Sequence, residues 1–253
     1  MIMRICLPFL LLLAPGYLLA VPVASAQETI STDRPGLGYN PTTISPGIFQ
    51  VELGTPSASA SEAGAANVQT FSFPAALRLG VTDALELRLN TSVYDIAQTE
   101  IADETESEGQ AGFDVLEAGV KLNFAAQAGF DAAVIPSIFI PTEGGPVTVS
   151  GIAVAGWSLP NAFGLTTAAG AAVTSGDVSG TFVALLGRGL TDRLGSYVAA
   201  AAYPADGATP VFAGAGLTLL LTPDLQLDAG FDRGLSEGAG DWLFGLGIAF
   251  RLR

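Results

Sequence analysis

The C-terminal part of the chain alternates between large apolar side chains and smaller or charged ones. From residue 242 to residue 252 every second position is large and apolar: Trp242, Phe244, Leu246, Ile248, Phe250 and Leu252. A period of two indicates a β-strand, because successive side chains of a strand point to opposite faces. This segment therefore predicts a strand that has one strongly apolar face.

The same alternation recurs along the chain and predicts about twelve strands, each close to the length that a tilted strand needs to cross a membrane. The predicted strands are 47–55, 67–81, 84–95, 111–124, 129–141, 147–158, 162–174, 179–189, 194–203, 209–221, 225–235 and 241–252. Tight turns alternate with longer connections, of which 56–66 and 96–110 are the longest. This alternation is typical of outer-membrane barrels and predicts that both termini are periplasmic.

Charged side chains fall mainly on the parity opposite to the large apolar ones, as where Glu86 and Arg88 alternate with Leu87 and Leu89. A basic side chain on the lipid-facing side costs about 2 to 4 kcal/mol at mid-depth and an acidic one less, so charges are expected to point into the lumen. The predicted inward band consists of Arg78, Glu86, Arg88, Glu117, Lys121, Asp228, Asp232 and Arg251. The predicted fold is all-β, a transmembrane antiparallel up-and-down β-barrel.

The inward band has two interpretations. Rings or ladders of charge tune which solutes pass a channel, so the band can be a selectivity lining. Acidic and basic residues in the band are nearly balanced, so it can equally be a salt-bridge network that fills the lumen. The strands between residues 129 and 221 have apolar or small residues on both faces, which indicates either a close-packed interior or room for a ligand.

The N-terminal 26 residues fit a secretory signal peptide. A basic start at Arg4 is followed by an apolar run from Ile5 to Ala20 and by Ala24-Ser25-Ala26, a cleavage site of small residues. We therefore expect residues 1–26 to be removed and residues 47–253 to form a barrel in the bacterial outer membrane.

Residues 27–46 lie between these two regions and are rich in Pro, Gly and Thr. Asp33 and Arg34 precede the first strand, so a segment that folds back into the periplasmic mouth would bring them to the inward band. On this interpretation the segment plugs the lumen. The alternative is a disordered periplasmic leader.

Net charge and the missing residue types exclude several functions. Without Arg4 the chain has nine basic and 24 acidic residues, which gives a net charge of −15. Nucleic-acid binding depends on neutralising phosphates and is not expected. The chain has no histidine that would activate a nucleophile, so no catalytic residue is expected. The one cysteine, Cys6, lies in the predicted signal peptide, and no spacing indicates a metal site or a cofactor.

The predicted connection 96–110 is strongly acidic. Its carboxylates are Glu100, Asp103, Glu104, Glu106 and Glu108. They lack the glycine that an EF-hand loop has at a fixed position. A solvated outer loop is the favoured interpretation, and binding of divalent cations near the lipopolysaccharide surface is the alternative.

Several short motifs occur in a familiar order. They are Ser31-Thr32-Asp33-Arg34-Pro35-Gly36, Gly47-Ile48-Phe49-Gln50-Val51-Glu52, Leu77-Arg78-Leu79-Gly80-Val81-Thr82-Asp83 with Glu86-Leu87-Arg88, Gly119-Val120-Lys121, Trp157-Ser158-Leu159-Pro160 and Leu225-Gln226-Leu227-Asp228. With them the chain resembles the outer-membrane transporter family named for a meta-pathway of phenol degradation. The resemblance implies a barrel with a transport role, whose partners are outer-membrane lipid, the barrel assembly machinery and a small-molecule substrate.

Three functional hypotheses follow. The first is a passive outer-membrane channel for small molecules, including aromatic or otherwise hydrophobic ones as the family label suggests. The second is a closed structural barrel without transport activity. The third is a soluble periplasmic β protein, which would need a helix, a second sheet or a partner to cover the apolar face from Trp242 to Leu252.

Overall fold

The computed structural model describes residues 29–63, 66–101, 104–111 and 115–253. The predicted signal peptide, residues 1–26, lies outside these residues. So do Asp103 and the side chains of the other acids of the acidic connection, Glu100, Glu104, Glu106 and Glu108. In the described part of the chain, no helix is long and apolar enough to cross a membrane.

The described residues form thirteen β-strands that occupy twelve positions in one sheet. The strands are β1 Phe49–Ala63, β2 Ala66–Thr82, β3 Leu85–Ile101, β4 Glu104–Ala111, β5 Val115–Gln127, β6 Phe130–Pro141, β7 Thr148–Leu159, β8 Phe163–Thr174, β9 Asp177–Gly189, β10 Leu194–Ala202, β11 Val211–Thr222, β12 Leu225–Gly234 and β13 Trp242–Leu252. Strands β4 and β5 share one position, because β4 pairs with the second half of β3 and β5 with its first half.

The sheet closes on itself. Every strand pairs with its neighbours in antiparallel orientation, and β1 pairs with both β2 and β13. Val51, for example, lies opposite Leu77 of β2 and opposite Phe250 of β13. The prediction of a closed antiparallel barrel of about twelve strands is confirmed.

Two predicted connections are strands instead of loops. The ladder between β1 and β2 continues through 56–66 to the pair Ala63 and Ala66. The ladder between β3 and β4 likewise runs through most of 96–110 to the pair Ile101 and Glu104. These stretches have no apolar alternation, but a hairpin satisfies its backbone N–H and C=O groups whatever its side chains are. The prediction of long loops at 56–66 and 96–110 was therefore wrong.

The two faces of the sheet differ in polarity, as expected from the cost of placing a charged side chain in lipid. On the outer face Leu87, Phe231 and Leu246 are between 44% and 48% exposed. On the inner face Arg78 and Glu86 are fully buried, at 0% exposure. The outer surface is thus largely apolar, and the buried charged side chains of the described strands lie in the lumen.

Candidate functional site

Residues 29–48 precede β1 and lie inside the barrel. The amide of Ile30 donates to the carbonyl of Pro223 at 2.8 Å, in the turn between β11 and β12. Asn123 Nδ2 donates to the carbonyl of Pro41 at 3.1 Å. Both contacts lie at the end of the barrel that has the short turns, which we call the turn end; the opposite end is the hairpin end. Residues 29–48, the lumen segment, therefore enter the barrel and return to the same end.

A buried ion-pair network lines the lumen beside this segment. Arg78 Nε lies 2.7 Å from Glu86 Oε1, and Arg78 Nη1 lies 2.7 Å from Glu52 Oε1. Arg88 Nη1 reaches the same Glu86 oxygen at 3.1 Å. Glu86 Oε2 also accepts a hydrogen bond from the amide of Ile44 at 3.0 Å. One carboxylate thus joins two strands of the barrel to the lumen segment.

Asp33 connects the lumen segment to the cations of the network. Its Oδ2 lies 2.5 Å from Arg88 Nη2, and its Oδ1 lies 3.3 Å from Lys121 Nζ. The amide of Asp33 donates to Glu52 Oε2 at 3.2 Å. Burial opposes ionisation, but Arg78, Arg88 and Lys121 outweigh it and hold the pKa of Asp33 well below its usual range. Asp33 is therefore ionised at neutral pH.

Arg34 makes the second ionic contact of the lumen segment, on the opposite flank of β1. Its Nη2 lies 3.4 Å from Asp228 Oδ1 and donates to the carbonyl of Leu246 at 2.9 Å. A Cβ atom on Gly247 would lie 2.6 Å from Arg34 Nε and 2.5 Å from Asp228 Oδ1. A glycine at this position of β13 leaves the space in which the guanidinium and the carboxylate meet.

The structure brings together some of the predicted site residues and leaves others apart. Arg78, Glu86, Arg88 and Lys121 share one network with Asp33, and Asp228 joins Arg34. Glu117 instead accepts a hydrogen bond from Asn90 Nδ2 at 2.8 Å. Asp232 is buried at 3% exposure and forms none of the ion pairs between described residues. Arg251 pairs with Asp224 at 3.2 Å, at the turn end.

Two lumen residues were not among the predicted ones, although they follow the same alternation. Gln50 and Glu52 alternate in β1 with Phe49, Val51 and Leu53, and both are buried. Gln50 Nε2 donates to Glu52 Oε1 at 2.8 Å and to the carbonyl of Ser31 at 2.9 Å. We call Glu52, Arg78, Glu86, Arg88 and Lys121, together with Asp228, the charged wall.

The other side of the lumen is apolar. Its buried cluster, which we call the apolar wall, consists of Ile135, Val154, Ala168, Val183 and Ala201 from the consecutive strands β6 to β10. Leu37 and Tyr39 of the lumen segment pack against it, as do Ile152 and Tyr203. The segment is therefore held by ion pairs on one side and by apolar contacts on the other.

Cavities lie on both sides of the lumen segment. One of them, about 580 Å³, is lined by Thr29, Gln226 and Ser196 and lies towards the turn end. A cavity of about 240 Å³ borders the charged wall at Glu52 and Arg88. A third, of about 330 Å³, lies towards the hairpin end. Among the described residues no cluster of three or more His, Cys, Asp or Glu is arranged to hold a metal ion.

A closed antiparallel barrel with an apolar outer surface and a polar, partly filled lumen is a β-barrel of the outer-membrane type. The family model described as "Putative MetA-pathway of phenol degradation" matches residues 32–252. The chain belongs to this family. No curated protein sequence matches it.

Solved structures of outer-membrane barrels share the fold. A COG4313 outer membrane channel from Pseudomonas putida F1 aligns with a TM-score of 0.61 and 14% identity, over 87% of this chain and 99% of that one. The translocator domain of the autotransporter NalP from Neisseria meningitidis gives 0.55 and 12%, over 83% and 90%. The KdgM porin in complex with disordered oligogalacturonate gives 0.55 and 5%, over 81% and 99%.

Proposed function

We propose that the protein is an outer-membrane channel for passive uptake of small molecules, with the lumen segment as its plug. The observation that carries this proposal is the position of the cavities. Space for solutes exists on both sides of the segment, and the segment lines each of the three cavities described above. A barrel of twelve positions is wider than barrels filled by their own side chains and narrower than open porins, so a short insert suffices to close it.

The family and the structural neighbours support the same assignment. The first neighbour is described as an outer membrane channel and another as a porin. The family description refers to phenol degradation, and the apolar wall offers a surface suited to aromatic or otherwise hydrophobic solutes. The proposal places the protein in the bacterial outer membrane with periplasmic termini and assigns it no catalytic role.

The charges of the lumen support a preference for cations. Among the side chains that the structure describes, those charged and inside the lumen are six carboxylates (Asp33, Glu52, Glu86, Glu117, Asp228 and Asp232) and four cationic groups (Arg34, Arg78, Arg88 and Lys121). Four positive charges against six negative ones leave a net charge of −2. A narrow lumen with this sign of charge attracts cations and repels anions.

The closed structural barrel is the second candidate, because the buried network already fills much of one side of the lumen. Deletion of residues 29–46 separates the two functions. In planar bilayers the deletion variant of a plugged channel should show several-fold higher single-channel conductance than the full protein. Retention of the barrel is checked by heat-modifiable migration in gels. A folded deletion variant that conducts no better than the full protein would establish the closed barrel instead.

A further inference from the structure

One side chain of the lumen segment, Tyr39, lines all three of the cavities described above. Tyr39 borders the turn-end cavity of about 580 Å³, the cavity of about 240 Å³ beside the charged wall and the hairpin-end cavity of about 330 Å³. Asp33, Arg34 and Gly38 border the first two of these but not the third. Tyr39 therefore stands where the spaces on the two sides of the segment meet.

The surroundings of Tyr39 place its ring against the apolar wall. The ring packs with Leu37, Ile152 and Tyr203 on the cluster that contains Ile135 and Val154. Burial first, and then the Glu117 carboxylate, raise the pKa of Tyr39 to about 12. The side chain is therefore neutral at physiological pH, and it is held mainly by packing.

The two routes past the lumen segment differ in what blocks them. On the side of the charged wall a solute meets the ion pair between Asp33 and Arg88, whose oxygen and nitrogen are 2.5 Å apart. Opening that route would leave buried charges without partners. On the side of the apolar wall the route is blocked by Tyr39 and Leu37. Both side chains are uncharged, so moving them breaks no ion pair, and of the two only Tyr39 also lines the hairpin-end cavity.

The hairpin-end cavity indicates which solutes this route suits. Its lining is largely apolar, with Phe139, Pro141 and Ile152, and hydroxyl groups come from Thr148 and Ser150. Its volume of about 330 Å³ is at the lower end of the range for small-molecule sites. An uncharged, mainly apolar molecule with a hydrogen-bonding group matches this lining better than an ion does.

We propose that Tyr39 is the gate of the channel and that its movement opens a route along the apolar wall for small, uncharged, mainly apolar solutes. The inference rests on the proposed channel function. It assigns the opening step to one ring, while the ionic contacts of Asp33 and Arg34 keep the rest of the lumen segment in place.

Reversible chemistry at this position tests the gate. In Tyr39→Cys the ring is absent, and single-channel conductance should rise several-fold. Benzyl methanethiosulfonate restores a ring and should return the conductance towards that of the wild type, and a reducing agent should open the channel again. Methyl methanethiosulfonate adds little bulk and should leave the channel open. Wild-type protein treated in parallel is the control, because its one cysteine, Cys6, lies far outside the lumen segment in sequence.

The route is tested by filling each cavity in the Tyr39→Cys protein. Ile152→Trp fills the hairpin-end cavity and should lower the raised conductance. Ala76→Trp fills the cavity beside the charged wall and should leave it high. The reverse pattern would place the route on the charged side and overturn the inference.

The solute class is tested with three molecules of similar size and different charge. Benzyl alcohol should reduce the ion current through Tyr39→Cys at lower concentrations than benzoate or benzylammonium. Equal or stronger block by either ion would contradict the assignment of uncharged solutes.

The deletion variant separates the gate from the channel function. If deletion of residues 29–46 opens the channel and Tyr39→Cys does not, the assignment of Tyr39 as the gate is wrong and the channel function stands. If neither variant conducts more than the wild type, both fail.

Discussion

The two walls of the lumen hold the same segment by different physical means. The charged wall holds Asp33 by two ion pairs, with Arg88 at 2.5 Å and with Lys121 at 3.3 Å. These contacts are directional, and each charge removed leaves another buried and unpaired. The apolar wall contacts Leu37 and Tyr39 through non-directional packing. A small displacement on that side exchanges one set of apolar contacts for another at lower cost.

Because the two kinds of contact differ in how easily they are exchanged, a closed lumen can be both stable and able to open. Barrel and segment are joined where Glu86 meets Arg78, Arg88 and the amide of Ile44. That junction fixes the segment relative to β2 and β3. The contacts most easily lost lie across the lumen, beside strands β6 to β10.

The largest effect is expected from Arg78→Ala. The side chain is fully buried, at 0% exposure, and lies 2.7 Å from both Glu52 and Glu86. Its removal leaves two buried carboxylates short of a partner, which costs about 3 to 5 kcal/mol. Chemical unfolding in detergent micelles should show this loss. Arg233→Ala, which removes an exposed partner of Asp241, is the matched control and should leave the unfolding midpoint unchanged.

Arg78→Ala also tests whether the ion-pair network contributes to the stability of the barrel. An unfolding midpoint as high as that of Arg233→Ala would contradict the role given to the charged wall. The largest loss of stability would then be expected from substitution of Glu86, whose carboxylate contacts two arginines and the lumen segment.

A smaller loss of stability is expected on the apolar wall, from Ile135→Ala. Ile135 is 1% exposed and belongs to the cluster on which Leu37 and Tyr39 pack. The change should cost roughly 2 to 3 kcal/mol, the lower part of the range for truncating a buried isoleucine, because Tyr39 packs on this cluster and borders cavities, so it can relax into the space left. Ile138→Ala is the control on the same strand, because Ile138 points outward and is 37% exposed. Equal losses for the two variants would mean that the lumen segment does not pack on this wall.

The ionic contact of Asp33 predicts how conductance depends on pH. Burial opposes the charge, yet Arg78, Arg88 and Lys121 hold the pKa of Asp33 well below its usual range. Because the pKa of Asp33 is lowered on folding, ionised Asp33 stabilises the folded protein fully above its unfolded-state pKa, about 3.9. This stabilisation is lost as the pH falls through the lower pKa of the folded state. Conductance should therefore stay flat from pH 7 to pH 5 and rise only below about pH 4.

Asp33→Asn is the control for the pH experiment. It removes the carboxylate that faces Arg88 and Lys121 and leaves the amide that donates to Glu52. Its conductance should already be raised at pH 7. A transition between pH 5 and pH 7 in the wild type would exclude Asp33 as the titrating group.

The strands could be predicted from sequence because each one carries its own evidence. Alternation of Leu87, Arg88 and Leu89 places the charge away from lipid whatever the neighbouring strand is. The predicted strand boundaries accordingly lie within a few residues of the observed ones between β6 and β13. The hairpin ends of β1 to β4 escaped prediction because their ladders need no apolar face.

The contacts within the lumen could not be predicted, because they depend on register between strands. Arg78 and Arg88 lie directly opposite each other in the pairing of β2 with β3, and Glu86 lies close enough to bridge them. One residue of slip would reverse the faces. The position of Tyr39 could not be predicted either, because residues 27–46 have no periodicity. It follows only from the path of the lumen segment through the barrel.

The smallest effect is expected from a substitution that changes only the charge of one lumen side chain. Asp232 is buried in the lumen, and its Oδ1 makes no hydrogen bond to another described residue. Asp232→Asn changes the net lumen charge from −2 to −1. A unit charge about 8 Å from a permeating ion in water contributes about 0.5 kcal/mol. Its removal disfavours a cation and favours an anion by this amount each, so the cation-to-anion permeability ratio should fall roughly fivefold. The reversal potential in a KCl gradient measures this ratio, and Asp192→Asn in the exposed turn between β9 and β10 should leave it unchanged. If both variants shift the ratio equally, selectivity is set by the surface charge of the whole barrel and not by the lumen.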